Sequence, residues 1–319
     1  MFEEEDLSKY ALYLGFFLTL LGYTGRYAGI EPLNNQFFPF ALWSFILLVD
    51  NLAWRFKGDS PLISRPAEFW YLALWSLGLA SLAELLNLRL GAWAYVNQAS
   101  DLSTRWGGRL FAWAGALPSL FVLDELFKAF GLFRGLRSRK FALPAVLPRA
   151  LPAAGGALAL LALGRPGLFW PLLLPAALLL AEALNLRLGL PSLLRELAGG
   201  LPAKTARLAV SGLAAGLLWH WWNRAAGGGW EYSPPPWLAA LRAGALAGLV
   251  LLGPACYSVS SLASWLRGGR TWEGGDWALP GGAPPAAFRA AAAVLLALAS
   301  YIALRAVDAR TVKFFLGWV

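Results

Sequence analysis

The 319-residue sequence contains a single cysteine, Cys256, and a single histidine, His220. One cysteine excludes an internal disulfide and a metal centre built on thiolates. One histidine excludes, within this chain, the several-imidazole sites of di-iron membrane oxygenases and bis-histidine haem proteins. Charge is also scarce: 14% of residues are Asp, Glu, Lys or Arg, where a soluble domain has about 25%. No Gly-x-x-x-x-Gly-Lys-Ser/Thr phosphate loop occurs. Residues Met1 to Lys9 carry Glu3, Glu4, Glu5 and Asp6 in place of the basic start of a cleaved signal peptide, so no such leader is expected.

What is plentiful is apolar. Hydrophobic residues make up 58% of the chain and mean hydropathy is +0.55, a balance that one soluble fold of this length does not carry. Tryptophan is heavily used, at 17 residues, and amphipathic rings collect at membrane–water boundaries. A spanning helix needs about 20 mostly apolar residues. Such stretches fall near 10–24, 37–54, 69–88, 110–131, 150–164, 168–186, 207–223, 237–259 and 286–305. The expected fold is therefore all-α, a polytopic transmembrane helix bundle of about nine spans. The net charge of +9 comes from Lys and Arg lying mostly between these runs, so it reads as orientation and not as nucleic-acid binding.

The basic residues set a topology. Arg134, Arg137, Arg139, Lys140 and Arg149 come after the fourth segment, which makes that loop cytoplasmic by the positive-inside rule. Alternation then puts the N-terminus inside. Arg89, Arg105 and Arg109 fall on the outer side, with Arg305, Arg310 and Lys313 there as the awkward group. Ala-, Leu- and Arg-rich usage points to a GC-rich bacterium and its cytoplasmic (inner) membrane.

The chain reads as duplicated. Asn87 is followed by Trp93 and Tyr95, and Asn223 by Trp230 and Tyr232; from Asn to the next landmark proline the spacing is 118 − 87 = 31 and 254 − 223 = 31. At that offset Glu84 falls on His220. Asp50 falls on Glu182 at a slightly smaller offset, 182 − 50 = 132. The expected organisation is a first four-span repeat over 1–149, a second over 150–270, and an interfacial loop with a final helix over 271–319. Two repeats of even span number point the same way, as in transporters with parallel repeats. A rival register exists, because residues 82–91 (LAELLNLRLG) nearly copy residues 180–189 (LAEALNLRLG); the longer alignment is preferred.

Carboxylates inside a bilayer face a protein interior or a watery cavity. The candidate catalytic acids are Glu84, Asp124, Glu125, Asp50 and Glu182. Glu84 with Asn87, Glu182 with Asn185, and His220 with Asn223 each stand three apart and share a helix face. Asn87, Asn185, His220, Asn223, Tyr257, Trp93 and Trp230 are the candidate substrate-binding residues. The plainer alternatives are interhelical hydrogen bonding for the acids and amides, interface anchoring for Trp93 and Trp230, and a small core residue for Cys256. Pro118 and Pro254 are expected to kink their helices. No metal site and no cofactor are expected.

With these motifs in view, the chain resembles an uncharacterised family of bacterial polytopic membrane proteins, through Glu84-x-x-Asn87 with Trp93 and Tyr95, Glu182-x-x-Asn185, and Trp219-x-x-Trp222-Asn223 with Trp230 and Tyr232. It also resembles integral-membrane carotenoid cyclases and hydratases, helical enzymes that lack metal ligands and use intramembrane carboxylates around a long isoprenoid. Their Pro-x-Glu-Glu-type motif is absent: Asp124 and Glu125 lie six and seven residues after Pro118. That resemblance implies a lipid or isoprenoid substrate handled by acid–base chemistry, with Glu84 or Asp124 as proton donor. The competing expectations are a non-catalytic subunit of a membrane assembly and a small-molecule or ion carrier. Expected partners are membrane lipids, a hydrophobic small molecule and other membrane subunits.

Overall fold

A computed structural model describes residues 4–240, 244–274, 279 and 282–311. The chain is almost entirely helical. Its helices are α1 (Glu4–Tyr27), α2 (Phe37–Lys57), α3 (Pro66–Leu90), α4 (Leu102–Ala129), α5 (Leu147–Gly164), α6 (Pro166–Phe169), α7 (Leu173–Leu188), α8 (Leu193–Ala198), α9 (Ala203–Ala225), α10 (Pro236–Ala240), α11 (Gly244–Leu266) and α12 (Ala286–Arg310). A 3₁₀ turn, Trp170–Leu172, joins α6 to α7. Two short strands, β1 (Trp93–Val96) and β2 (Gly229–Tyr232), make the only sheet among the described residues.

Seven helical stretches are long and apolar enough to cross a membrane: α2, α3, α4, α5, Pro166–Leu188, Gly248–Leu266 and α12. The chain is thus a multi-pass membrane protein by length and composition. The other two of the nine expected segments are helical but more polar. α1 opens on Glu4, Glu5 and Asp6, and α9 carries Lys204, Arg207, His220 and Asn223 beside its tryptophans. Gly155-Gly156 and Gly253-Pro254, where the carrier alternative would need a discontinuous helix, lie inside continuous helix, as does Pro118. Lys313 lies outside the described residues.

The chain divides into two compact units. One holds the described residues up to Leu126, Leu217–Ser233 and those from Val294 on; the other holds Phe127–Gly216 and Pro234–Ala293. In the first, α1 packs along α2, and the core gathers Phe37, Leu42, Ile46, Phe69, Val122 and Trp222. Small residues bring helices close: a Cβ on Gly115 of α4 would stand 2.7 Å from Leu42 Cδ2 on α2. In the second, α7 packs on α5 and α11. There α9 and α11 meet backbone to backbone, since a Cβ on Gly253 would stand 1.9 Å from Leu208 O. Lipid tails provide no hydrophobic drive between helices, so close packing of small residues supplies the contact.

Two buried acids fold the chain back on itself in the same way. Asp50 lies two turns before the end of α2, where Gly58 adopts left-handed backbone at φ 70°. Its carboxylate accepts from Ser60 Oγ at 2.7 Å and from the Leu62 and Ile63 amides at 2.9 and 3.3 Å. Glu182 lies two turns before left-handed Gly189, φ 71°. It accepts from Ser192 Oγ at 2.6 Å, the Leu193 and Leu194 amides at 3.2 and 3.1 Å, and Ser258 Oγ at 2.5 Å. Each acid meets a serine ten residues on and the amides just after it, so in its contacts Glu182 matches Asp50. A carboxylate that collects the free amides of a return turn removes the cost of burying them.

Asp50→Asn and Glu182→Gln should each destabilise the protein by about 1–3 kcal/mol, because one acceptor oxygen becomes a donor facing an amide. Thermal unfolding in detergent measures this, and a change within about 0.5 kcal/mol would show that the turn holds without the carboxylate.

Candidate functional site

The site is built at the ends of helices in the first unit. Asn87, on the last turn of α3, fixes the segment just beyond the helix: its Nδ2 donates to Trp93 O at 2.8 Å and its Oδ1 accepts from Ala92 N at 2.8 Å. Asn223, on the last turn of α9, repeats the device, donating to Trp230 O at 2.7 Å and accepting from Trp230 N at 2.9 Å. The two held segments pair as antiparallel strands with Trp93 opposite Tyr232 and Tyr95 opposite Trp230. The two Trp-x-Tyr motifs therefore meet head to tail.

Above this ribbon lies a cavity of about 210 Å³, lined by rings of Phe38, Trp93, Tyr95, Trp113, Trp219, Trp230 and Tyr232, with Glu84 and Arg109 among them. Its amide groups come from Asn35, Gln36 and Gln98. Glu84 is buried, at 4% exposure, and is held by neutral donors. Tyr95 Oη donates to its Oε1 at 2.6 Å, and Trp93 Nε1 lies 3.2 Å from both oxygens. An indole N–H can only donate, so Trp93 favours the acceptor form of the acid. Burial pushes the Tyr95 hydroxyl well above its ordinary range, and the Glu84 charge and hydrogen bond push it further; Tyr95 stays protonated and keeps donating.

Arg109 spreads its guanidinium over the Tyr95 ring, 4.8 Å from the centroid. It also reaches Asp308 of α12 at 3.4 Å and Thr311 at 2.5 Å. Arg105, one turn earlier, grips Asp308 through Nε at 2.7 Å and Nη2 at 3.1 Å. Both arginine side chains are buried. α4 is aimed by Asp101 at its start, whose carboxylate accepts from Thr104 N at 2.7 Å and Ser103 Oγ at 2.8 Å. Those bonds, the Thr104 amide first, hold Asp101 down to about 2.

The structure therefore brings Glu84, Trp93 and Trp230 into one cavity, with Asn87 and Asn223 behind it as positioning residues. Asp50 is occupied at its turn. Glu125 is paired with Lys57, and neither Glu125 nor the buried Asp124 lines the cavity. His220 is exposed. In the second unit, Asn185 Nδ2 donates to Ser258 O at 2.8 Å. Tyr257 there is fully buried, receiving Lys204 Nζ at 3.0 Å and donating to Glu273 at 3.1 Å. Burial alone would lower the Lys204 ammonium, but Glu273, Tyr257 and Glu196 around it hold it above its ordinary value. Arg105, Arg109 and Asp308 were not among the expected site residues. Their signal was an acid in the last apolar helix, which needs a partner, and two arginines spaced one turn apart.

No family model, curated protein or solved structure matches the chain. The cavity's meaning rests on its own chemistry. Among the described residues no cluster of His, Cys, Asp and Glu has the makings of a metal site.

Asp308→Asn should cost about 3 kcal/mol, because it leaves two buried guanidinium groups without their anion; a thermal midpoint equal to that of the unaltered protein would sink this. Asp101 gives a pH dependence of known sign. Its folded value lies below the ordinary 3.8, so its contribution is present above 3.8 and fades as pH falls toward about 2. Asp101→Asn should flatten the stability profile in that window, read as unfolding midpoint against pH.

Proposed function

We propose that this protein binds the polar end of a hydrophobic lipid or isoprenoid in the aromatic cavity, with Glu84 as the anchor. The carrying observation is a buried carboxylate, held by Tyr95 and Trp93, opening on a ring-lined space at the ends of spanning helices. Such placement suits an amphipathic molecule whose tail lies in the bilayer and whose head sits at the boundary. At about 210 Å³, against a cavity of about 150 Å³ that holds one benzene, the space takes a head or chain end and not a whole long lipid. The likeness to carotenoid cyclases and hydratases agrees with an isoprenoid guest, and the protein then sits in a bacterial inner membrane with a cytoplasmic N-terminus. The paired Asn…Trp-x-Tyr devices and the matching contacts of Asp50 and Glu182 favour two repeats of a common ancestral unit.

In this reading Glu84 alone is placed to act on a bound guest. Its two neutral donors hold it as an acceptor for a guest's hydrogen bond or cation, and Tyr95 stays protonated beside it. Asp50, Glu125 and Glu182 are consumed by internal contacts. That dispersal favours a second reading, a non-catalytic subunit in which lipid binding is structural.

The test is lipid extraction and mass spectrometry of protein purified in mild detergent. One enriched lipid class is expected, lost in Ala112→Phe, which fills the cavity from its wall. Bulk phospholipid alone, unchanged by that substitution, would end the lipid-binding reading.

A further inference from the structure

The rings and charges of the cavity also select the kind of head. Among the described residues Arg105 and Arg109 share one anion, Asp308, which leaves one positive charge over. Glu84, bonded among the described residues to the neutral Tyr95 and Trp93, balances it across the cavity. A guest of net positive or net negative charge would upset that balance, and buried charge without a counter-charge is costly. A guest carrying both signs preserves it.

The rings say where the positive end goes. Aromatic faces attract cations, most strongly where water is excluded. The cavity's rings surround Glu84, whose Oε2 accepts only the long bond from Trp93 at 3.2 Å and so retains acceptor capacity. Arg109, already stacked on Tyr95, is the one Lys or Arg among the described residues that lines the same space, so it is the cation offered to a negative group there. The position along the helices agrees. Glu84 is six residues from the end of α3, and Arg109 seven into α4. At 1.5 Å per residue both charges stand about 10 Å from the ends of their helices, which the short α3–α4 connection joins.

We infer that the cavity takes the zwitterionic head of a phospholipid, its alkylammonium seated among the rings against Glu84 and its phosphate toward Arg109. This rests on the lipid-binding reading above and narrows it. A water-soluble phosphodiester of an alkylammonium, such as glycerophosphocholine, carries the same charges, and the test separates the two sources.

The full chain is placed in nanodiscs of phosphatidylglycerol and titrated calorimetrically with glycerophosphocholine, a net-neutral phosphodiester, then with glycerol 3,3-dimethylbutyl phosphate. The second compound keeps the shape and the phosphate but has carbon in place of nitrogen. Glycerophosphocholine should bind at least about tenfold more tightly, and Glu84→Gln should erase the difference. Equal binding of the two, or binding of neither, overturns the assignment, and this comparison needs no variant that could misfold. In nanodiscs of phosphatidylcholine the glycerophosphocholine heat should vanish, because membrane lipid already fills the site; undiminished heat there overturns the phospholipid as the source. If the extraction experiment yields an enriched neutral isoprenoid while the two phosphates bind alike, this inference fails and the lipid-binding reading stands. If the extraction yields no enriched lipid either, both fail.

Discussion

Most of the polar groups buried in this chain are answered from within the protein, because the core of a bilayer offers no water to hydrogen-bond them. That constraint organises both units. Asp50 and Glu182 answer the amides of the turns beyond their helices. Asn87 and Asn223 answer the backbone of the two strands. Asp308 answers two arginines. In each case a side chain near a helix end takes hold of chain that would otherwise leave the helix unsatisfied.

The cavity is a consequence of these anchors. Once Asn87 and Asn223 hold Trp93 and Trp230, strand pairing sets Tyr95 and Tyr232 beside them. The rings then stand over the ends of the helices and enclose a space. Glu84 differs from Asp50 and Glu182 because its donors are side chains of the ribbon, where theirs include the backbone amides of a turn. Side chains yield to a guest more easily than a turn does, so Glu84 is the acid with chemistry to spare.

Much of this was legible from the sequence. Seven of the nine expected segments are long apolar helices, since hydropathy over about 20 residues is a property of a single stretch of chain. α1 and α9 were harder, because polar and aromatic residues dilute their apolar runs. The pairing of Asn with Trp-x-Tyr was visible because the interacting residues lie close in sequence. Arg105 and Arg109 were read only as charges that orient the chain, and Asp308 was not singled out; their meeting joins residues some two hundred positions apart.

The near-identical stretches 82–91 and 180–189 draw the line most sharply. Both end a helix at a left-handed glycine, Gly91 and Gly189, whose amides return to Asn87 and to Asn185. Local sequence determined that much, because a helix stop is a local event. It did not determine what the two glutamates touch. Glu84 meets Trp93 and Tyr95, whereas Glu182 meets Ser192, two amides and Ser258. The difference lies in the residues after each glycine and in the helix packed beside it, so the partners of a buried charge were decided by tertiary structure: the donors nearest in space are not those nearest in the chain.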